Sequence, residues 1–209
     1  MTKLIIIGAG GHGRVVADCA LVTNKYQQIV FLDDCYPQRN KNALWPIIGP
    51  LGDFTQHIDN AVFFVAFGNN QLRQAIYKQL KAANATIVSI IHPSAAISSN
   101  AHIGKGVAVF ANATINIAST IDDGCIINTS ATIDHDCTLA PFVHISPNAA
   151  IAGGVNIGEL SWIGINATVI ECLTIAANTQ VGAGAVIIKN TEENSLNVGV
   201  PAQRIKLFN

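Results

Sequence analysis

The chain of 209 residues is half hydrophobic and only 12% charged, with a formal net charge of −1. That balance offers no basic field to nucleic acid, and so apolar a surface calls for self-association. No apolar run reaches the roughly 18 residues of a membrane helix, and the apolar stretch before Gly8 is too short for a signal-peptide core. A cytoplasmic protein is expected. The five cysteines, Cys19, Cys35, Cys125, Cys137 and Cys172, are odd in number and form no C-x-x-C pair, so they read as reduced thiols.

Residues 1–85 read as a small α/β unit. Lys3 to Ile7 is a short apolar strand that ends in Gly8-Ala9-Gly10-Gly11-His12-Gly13. A helix over Arg14 to Thr23 follows, with Val15, Val16, Cys19 and Ala20 on one side. Gln28 to Leu32 is a second strand, closed by Asp33-Asp34, and residues 36–57 look like an irregular surface connection. Ala61 to Ala66 is a third strand, ending at Gly68-Asn69-Asn70. Gln71 to Ala83 is an amphipathic helix with Leu72, Ile76, Leu80 and Ala83 along one face. Thr86 to Ile90 reads as a fourth strand. Strands alternating with helices imply a parallel sheet in a Rossmann-like unit.

Residues 86–209 hold a different pattern. Ile, Val or Leu occupies every sixth position from Ile91 to Ile187, and a small residue follows four places later at Ala101, Ala113, Ser119, Cys125, Ala131, Cys137 and Ala149. This is the hexapeptide repeat of a parallel β-helix, expected to be left-handed. Three hexads make one triangular coil, and five coils at about 4.8 Å each stack to on the order of 25 Å. Asn112, Ser130, Asn148 and Asn166 recur at one corner and read as turn formers. Gly199-Val200-Pro201-Ala202 reads as a turn that leaves the coil.

Two places carry chemistry. Gly8-x-Gly10-x-x-Gly13 follows a strand and opens a helix, as a phosphate-cradling turn does, and Asp33-Asp34 lies where an acidic residue meets a ribose or base. The unit is half the size that a dinucleotide fold needs, so a mononucleotide or sugar nucleotide fits better than NAD. The second place is His135, flanked by Asp134 and Asp136. It stands at an outward position of its hexad, with Ile117 one coil below and Gly153 one coil above. A glycine stacked on an outward histidine leaves room for a ligand and presents a backbone N–H beside a base. His144 lies half a coil away. His12, His92 and His102 carry weaker signals, His57 none, and the histidines lack metal-ligand spacing.

Gly8 to Gly13, Leu32-Asp33-Asp34, Phe67 to Asn70, Asn128 to Cys137, Phe142 to Pro147 and Gly199 to Ala202 occur in that order. In combination they resemble the sugar O/N-acyltransferase family of left-handed β-helix proteins, nearest to its bacillosamine-type N-acetyltransferases, with sialic acid O-acetyltransferases as relatives. The resemblance implies a homotrimer with active sites between neighbouring prisms. It implies that Gly10, Gly11, His12, Asp33, Asp34 and Gly68 bind a UDP-amino-sugar. His144, Ile165 and Ala183 line an acetyl-CoA site, to which the stacked Gly153 is added. His135 is the general base and Asp136 raises its basicity, without a metal. One departure is Asp136, where the family pattern carries Glu. The expected reaction is direct acetyl transfer from acetyl-CoA to the 4-amine of a UDP-4-amino-4,6-dideoxy sugar. Cys137 stays a spectator in its packing slot. The alternatives are O-acetyl transfer to sialic acid or another sugar hydroxyl, a solenoid that binds a nucleotide sugar without catalysis, and an NAD-dependent enzyme.

Overall fold

The computed structural model describes residues 2–208, which form two compact units divided between Pro93 and Ser94. In the first, three parallel strands, β1 (Lys3–Ile7), β2 (Gln28–Leu32) and β5 (Ala61–Val65), pair in the order β2-β1-β5. Leu4 to Ile7 are buried throughout, as a central parallel strand covered on both faces must be. The expected fourth strand does not form. Ile87 makes an isolated bridge to Phe63, with Phe63 N–H donating to Thr86 O at 2.8 Å and Val88 N–H to Phe63 O at 3.0 Å. Those bonds hold the segment against β5 without extending a ladder.

Helix α1 (Gly11–Val22) starts inside the glycine run, and α2 (Asn70–Ala82) starts at Asn69, whose side chain accepts the Leu72 N–H at 2.8 Å. The expected faces hold in part: α1 buries Val16, Cys19 and Ala20, and α2 buries Leu80, but each helix leaves one expected residue out. Val15 is 47% exposed and Leu72 is 43% exposed, whereas Arg73, Tyr77 and Leu80 of α2 are buried. Between β2 and β5 the supposed irregular connection contains a hairpin of β3 (Lys41–Asn42) and β4 (Trp45–Pro46), then a 3-10 helix, Leu51–His57.

The second unit is a parallel β-solenoid. Its coil strands are only two residues long, and from coil to coil they pair 18 residues apart, as Thr114↔Thr132 and Ile115↔Ile133 show. One row begins at Ala96–Ile97 and holds six strands; a second, from His102–Ile103, holds five. The repeating Ile, Val and Leu point inward: Ile115, Ile121, Ile127, Ile133, Leu139 and Ile145 are all 0% exposed. Each contributes roughly 1.5–3 kcal/mol of burial. The corners close through left-handed residues, among them Asn112 (φ 59°), Ser130 (φ 57°), Asn148 (φ 57°) and Asn166 (φ 55°). These are the residues expected at one corner.

The tail has the expected turn between Gly199 and Ala202, but it pairs before it turns. Instead of leaving the coil at Gly199, the chain lays Ser195–Gly199 parallel to Gln180–Val181 and returns antiparallel through Ala202–Leu207. The edge of the last coil still offers unpaired backbone groups, and the hairpin takes them up.

A non-glycine residue held left-handed costs about 1–2 kcal/mol unless its side chain tolerates the conformation, as Asn does. Asn148→Ala is therefore expected to lower unfolding stability by about 1 kcal/mol, and Asn148→Gly to lower it far less. Chemical denaturation separates them; equal losses would mean that the asparagine side chain, not its backbone tolerance, holds the corner.

Candidate active site

In the first unit the loop from β1 to α1 is shaped by space. Gly8 sits at φ 102°, and a Cβ there would fall 3.0 Å from the Phe67 ring. A Cβ on Gly13 would lie 2.1 Å from Gly8 O, so helix and loop could not approach. Gly10, Gly11 and Gly68 are different, because nothing lies within 4 Å of a Cβ at any of them. Their openness leaves backbone N–H groups at the start of α1 accessible to an anion.

The acidic pair is largely engaged with backbone. Asp33 accepts the Ala9 N–H at 2.6 Å and the Cys35 N–H at 2.9 Å, and Asp34 accepts the Leu51 N–H at 2.9 Å. Burial would raise the Asp33 carboxyl, but hydrogen bonds from Cys35 and Ala9 and the nearby Arg39 charge outweigh it and hold the group low. Arg39 donates to Ala9 O, as does Asn42, at 2.9 Å; Asn42 also reaches Gly10 O at 3.1 Å. Arg14 in turn donates to the Asn42 side chain at 2.9 Å. Arg39 and Asn42 come from the segment read as an irregular connection, and no motif in the sequence marks them.

His12 follows directly. Burial, with a smaller push from the Arg73 charge, brings its pKa down to about 4, so the ring is neutral near pH 7. Arg73 is itself buried and donates to Phe67 O at 2.9 Å and to Asn70 Oδ1 at 2.8 Å, which fixes the loop that carries Gly68.

In the solenoid, His135 and Asp136 are both exposed, at 56% and 65% of their side chains, and His135 Nδ1 donates to Asp136 Oδ2 at 2.7 Å. Asp136 occupies a left-handed corner at φ 58°, which folds its carboxylate back toward the preceding ring. The imidazole is raised from its ordinary value, chiefly by that hydrogen bond and then by the Asp134 charge. With Nδ1 protonated, Nε2 carries the lone pair. A Cβ on Gly153 would fall 2.6 Å from His135 Nε2, so only glycine keeps that nitrogen clear. Cys137 is buried, burial raises its thiol, and its Sγ donates to Ala152 O at 3.2 Å, all of which argue against a nucleophile.

Ile165 and Ala183 share a groove of about 270 Å³ with Trp162, Val181, Leu196 and Ser146. His144 belongs to its support. Its ring stacks on Trp162 at 5.7 Å and 8°, and Asn128 Nδ2 lies 3.3 Å from its Nε2. Trp162 Nε1 donates to Ser146 Oγ at 2.7 Å. Gly153 goes with His135 instead. Trp162 escaped the sequence reading, although a tryptophan at an outward strand position, where threonine is the commonest residue, was a usable signal. Among the described residues no cluster of His, Cys, Asp or Glu could hold a metal, and no helix is long and apolar enough to cross a membrane.

Known proteins resemble this chain in sequence and fold. Residues 3–80 match the family described as the PglD N-terminal domain. The chain is 39% identical to the acetyltransferase domain of PglB from Neisseria gonorrhoeae FA1090, covering 97% of this chain and 99% of that one with a TM-score of 0.93; the same domain has also been solved with acetyl coenzyme A. PerB from Caulobacter crescentus, solved with CoA and GDP-perosamine, is 37% identical over 98% of this chain and 97% of its own, with a TM-score of 0.89. UDP-N-acetylbacillosamine N-acetyltransferase of Bacillus subtilis (strain 168) is 32% identical over 112 residues, 52% of this chain and 51% of that protein. The match therefore spans about half the length of that curated relative. A glycine-loop α/β unit followed in the chain by a parallel β-solenoid is the order of a hexapeptide-repeat transferase. The chain belongs to the hexapeptide-repeat family of sugar acetyltransferases.

The half-buried, neutral His12 has a consequence for stability. Above its ordinary value of 6.5 both folded and unfolded states leave the ring neutral. As pH falls from 6.5 toward 4 the unfolded chain takes the proton first, so stability drops through that window, by about 3 kcal/mol in total. Equilibrium unfolding at pH 7 and pH 5 should show the fall, and His12→Gln should flatten it; an unchanged slope would place the pH response elsewhere.

Proposed function

We propose that this protein transfers an acetyl group from acetyl-CoA to the 4-amine of a UDP-4-amino-4,6-dideoxy-N-acetyl sugar, of the bacillosamine type. The observation that carries the reading is the His135–Asp136 pair, bonded at 2.7 Å and exposed, with Gly153 leaving Nε2 clear. His135 takes a proton from the amine as it attacks the thioester carbonyl, and Asp136 favours the imidazolium that forms. The Gly153 N–H faces the developing oxyanion. CoA then leaves as the thiolate, and no acyl-enzyme is formed. The sugar phosphates rest on the open N–H groups of Gly10 and Gly11 beside neutral His12, with Asp33, Asp34 and Gly68 completing that site. The groove of Trp162, Ile165 and Ala183 takes part of acetyl-CoA, with His144 behind the tryptophan. In this reading the protein works as a cytoplasmic homotrimer, whose contacts cover the exposed Trp162 and Ile165.

A second nucleotide has a specific observation in its favour. PerB was solved with GDP-perosamine, and its alignment runs over 98% of this chain. Both acceptors are amino sugars on a nucleoside diphosphate, so the difference lies in the base and the sugar.

Thiol release from acetyl-CoA tests the reading with a panel of the UDP-amino sugar, GDP-perosamine and sialic acid. Fast turnover of the UDP-amino sugar is expected, and His135→Ala should cost about 10²–10⁴-fold in kcat. Turnover of sialic acid alone would move the protein to O-acetyl transfer, and silence on every acceptor would make it a binding module. Because His135 is raised, the acidic limb of kcat/KM should lie above its ordinary 6.5, since the base must be unprotonated. Asp136→Asn should move that limb to lower pH and reduce kcat; an unmoved limb would detach Asp136 from the base.

A further inference from the structure

His135 cannot be positioned by its own ring contacts alone. Its side chain is more than half exposed, and the Asp136 carboxylate that holds Nδ1 is more exposed still. The ring's direction therefore depends on the backbone of residues 134–137. The coil ladder holds that backbone through Asp134 N–H to Ile151 O at 3.0 Å, Asp136 N–H to Ile117 O at 3.1 Å and Gly154 N–H to His135 O at 2.9 Å, and two sets of side-chain bonds add to the grip. From inside the coil, the Ser119 hydroxyl donates to Asp134 O at 2.6 Å and accepts the Cys137 N–H at 3.1 Å. From outside, one oxygen of Asp134, Oδ1, accepts both the His135 N–H and the Asn116 amide, each at 2.8 Å. Asn116 stands one coil below Asp134, in the register that pairs Ile115 with Ile133.

We infer that Asn116 is a positioning residue for the His135 base. Its amide pins the Asp134 carboxylate under the His135 N–H, and so fixes the turn from which the imidazole and its Asp136 partner project. Three features argue for a brace rather than a solvated surface pair. The Asn116–Asp134 bond crosses between coils, so it refers the turn to a second, independently anchored layer. The oxygen it holds is the same one that caps the His135 N–H. And Asp134 stays ionised, since the Asn116 bond foremost and the His135 N–H next hold its carboxyl low, which keeps it a strong acceptor. Ser119 is 1% exposed and can shift little, so the outer clamp is the one that catalysis can lose without loss of the coil.

The inference rests on His135 as the base, and the variants separate the two claims. Asn116→Ala is expected to lower kcat by about 10–100-fold with KM for acetyl-CoA within twofold of wild type, because misplacing a reacting group by about 1 Å costs of that order. Its melting temperature should stay close to wild type. Asp134→Asn keeps an amide oxygen for both donors but drops the charge. It should lose far less kcat than Asn116→Ala, and the acidic limb of kcat/KM should move to lower pH as one anion leaves the neighbourhood of the imidazole. Wild-type kcat in Asn116→Ala, alongside an inactive His135→Ala, would overturn the brace and leave the base in place. Asp134→Asn as damaging as Asn116→Ala would overturn it too, by making charge rather than geometry the cause. Activity surviving in His135→Ala would remove the base itself, and the brace with it.

Discussion

A strand of two residues has no stability of its own, and everything in the solenoid follows from that. Each short strand is held by the strands 18 residues before and after it, so register between coils is the constraint from which the rest derives. The inward Ile, Val and Leu make the register unique, because a slip by one residue would turn the whole core face outward. The corners must then reverse within one or two residues, which left-handed backbone achieves. Asp136 is one of those corner residues. The carboxylate that polarises His135 thus reaches the ring because the coil has to turn there. The geometry of the His135–Asp136 pair is obtained from a feature the fold already requires, and this explains how so exposed a pair can be fixed.

The same register supplies the space. Gly153 lies one coil from His135, where any side chain would strike the imidazole. In a stacked structure a residue's environment is written 18 places away, and a side chain can be cleared by a substitution remote in sequence. The Asn116 amide acts over the same interval in the opposite direction.

Periodicity made the solenoid legible almost completely, since an unbroken sixfold repeat of Ile, Val and Leu leaves no other fold. The corner asparagines and the outward histidine followed from counting. The α/β unit was less legible, for physical reasons. In α2 the buried face carries Arg73, whose guanidinium serves backbone carbonyls at Phe67 and a side chain at Asn70, so a pattern of apolar residues finds that face only in part. The fourth strand had the composition of a strand but only one bridge to join. Arg39 and Asn42 brace the glycine loop from an unpatterned segment, through contacts across 30 to 33 residues that no local spacing encodes. On the site itself, Gly10, Gly11 and His135 could be singled out because glycine and histidine are conspicuous. Asn116 could not, because what it does depends on the layer next to it, and Trp162 stood out only by its residue type, its stacking on His144 being written in the neighbouring coil.

The C-terminal hairpin bears on a hazard common to every structure built by stacking. A coil that accepts one more coil can accept the first coil of another molecule, and nothing in the repeat says where to end. Ser195–Gly199 takes the place of a next strand beside Gln180–Val181, and Ala202–Leu207 then reverses direction, which no further parallel coil can match. The reversed strand also carries Arg204 and Lys206, charges that an incoming strand would have to bury. On that face of the solenoid the hairpin therefore acts as a terminator to a repeat whose own logic is that of a fibre.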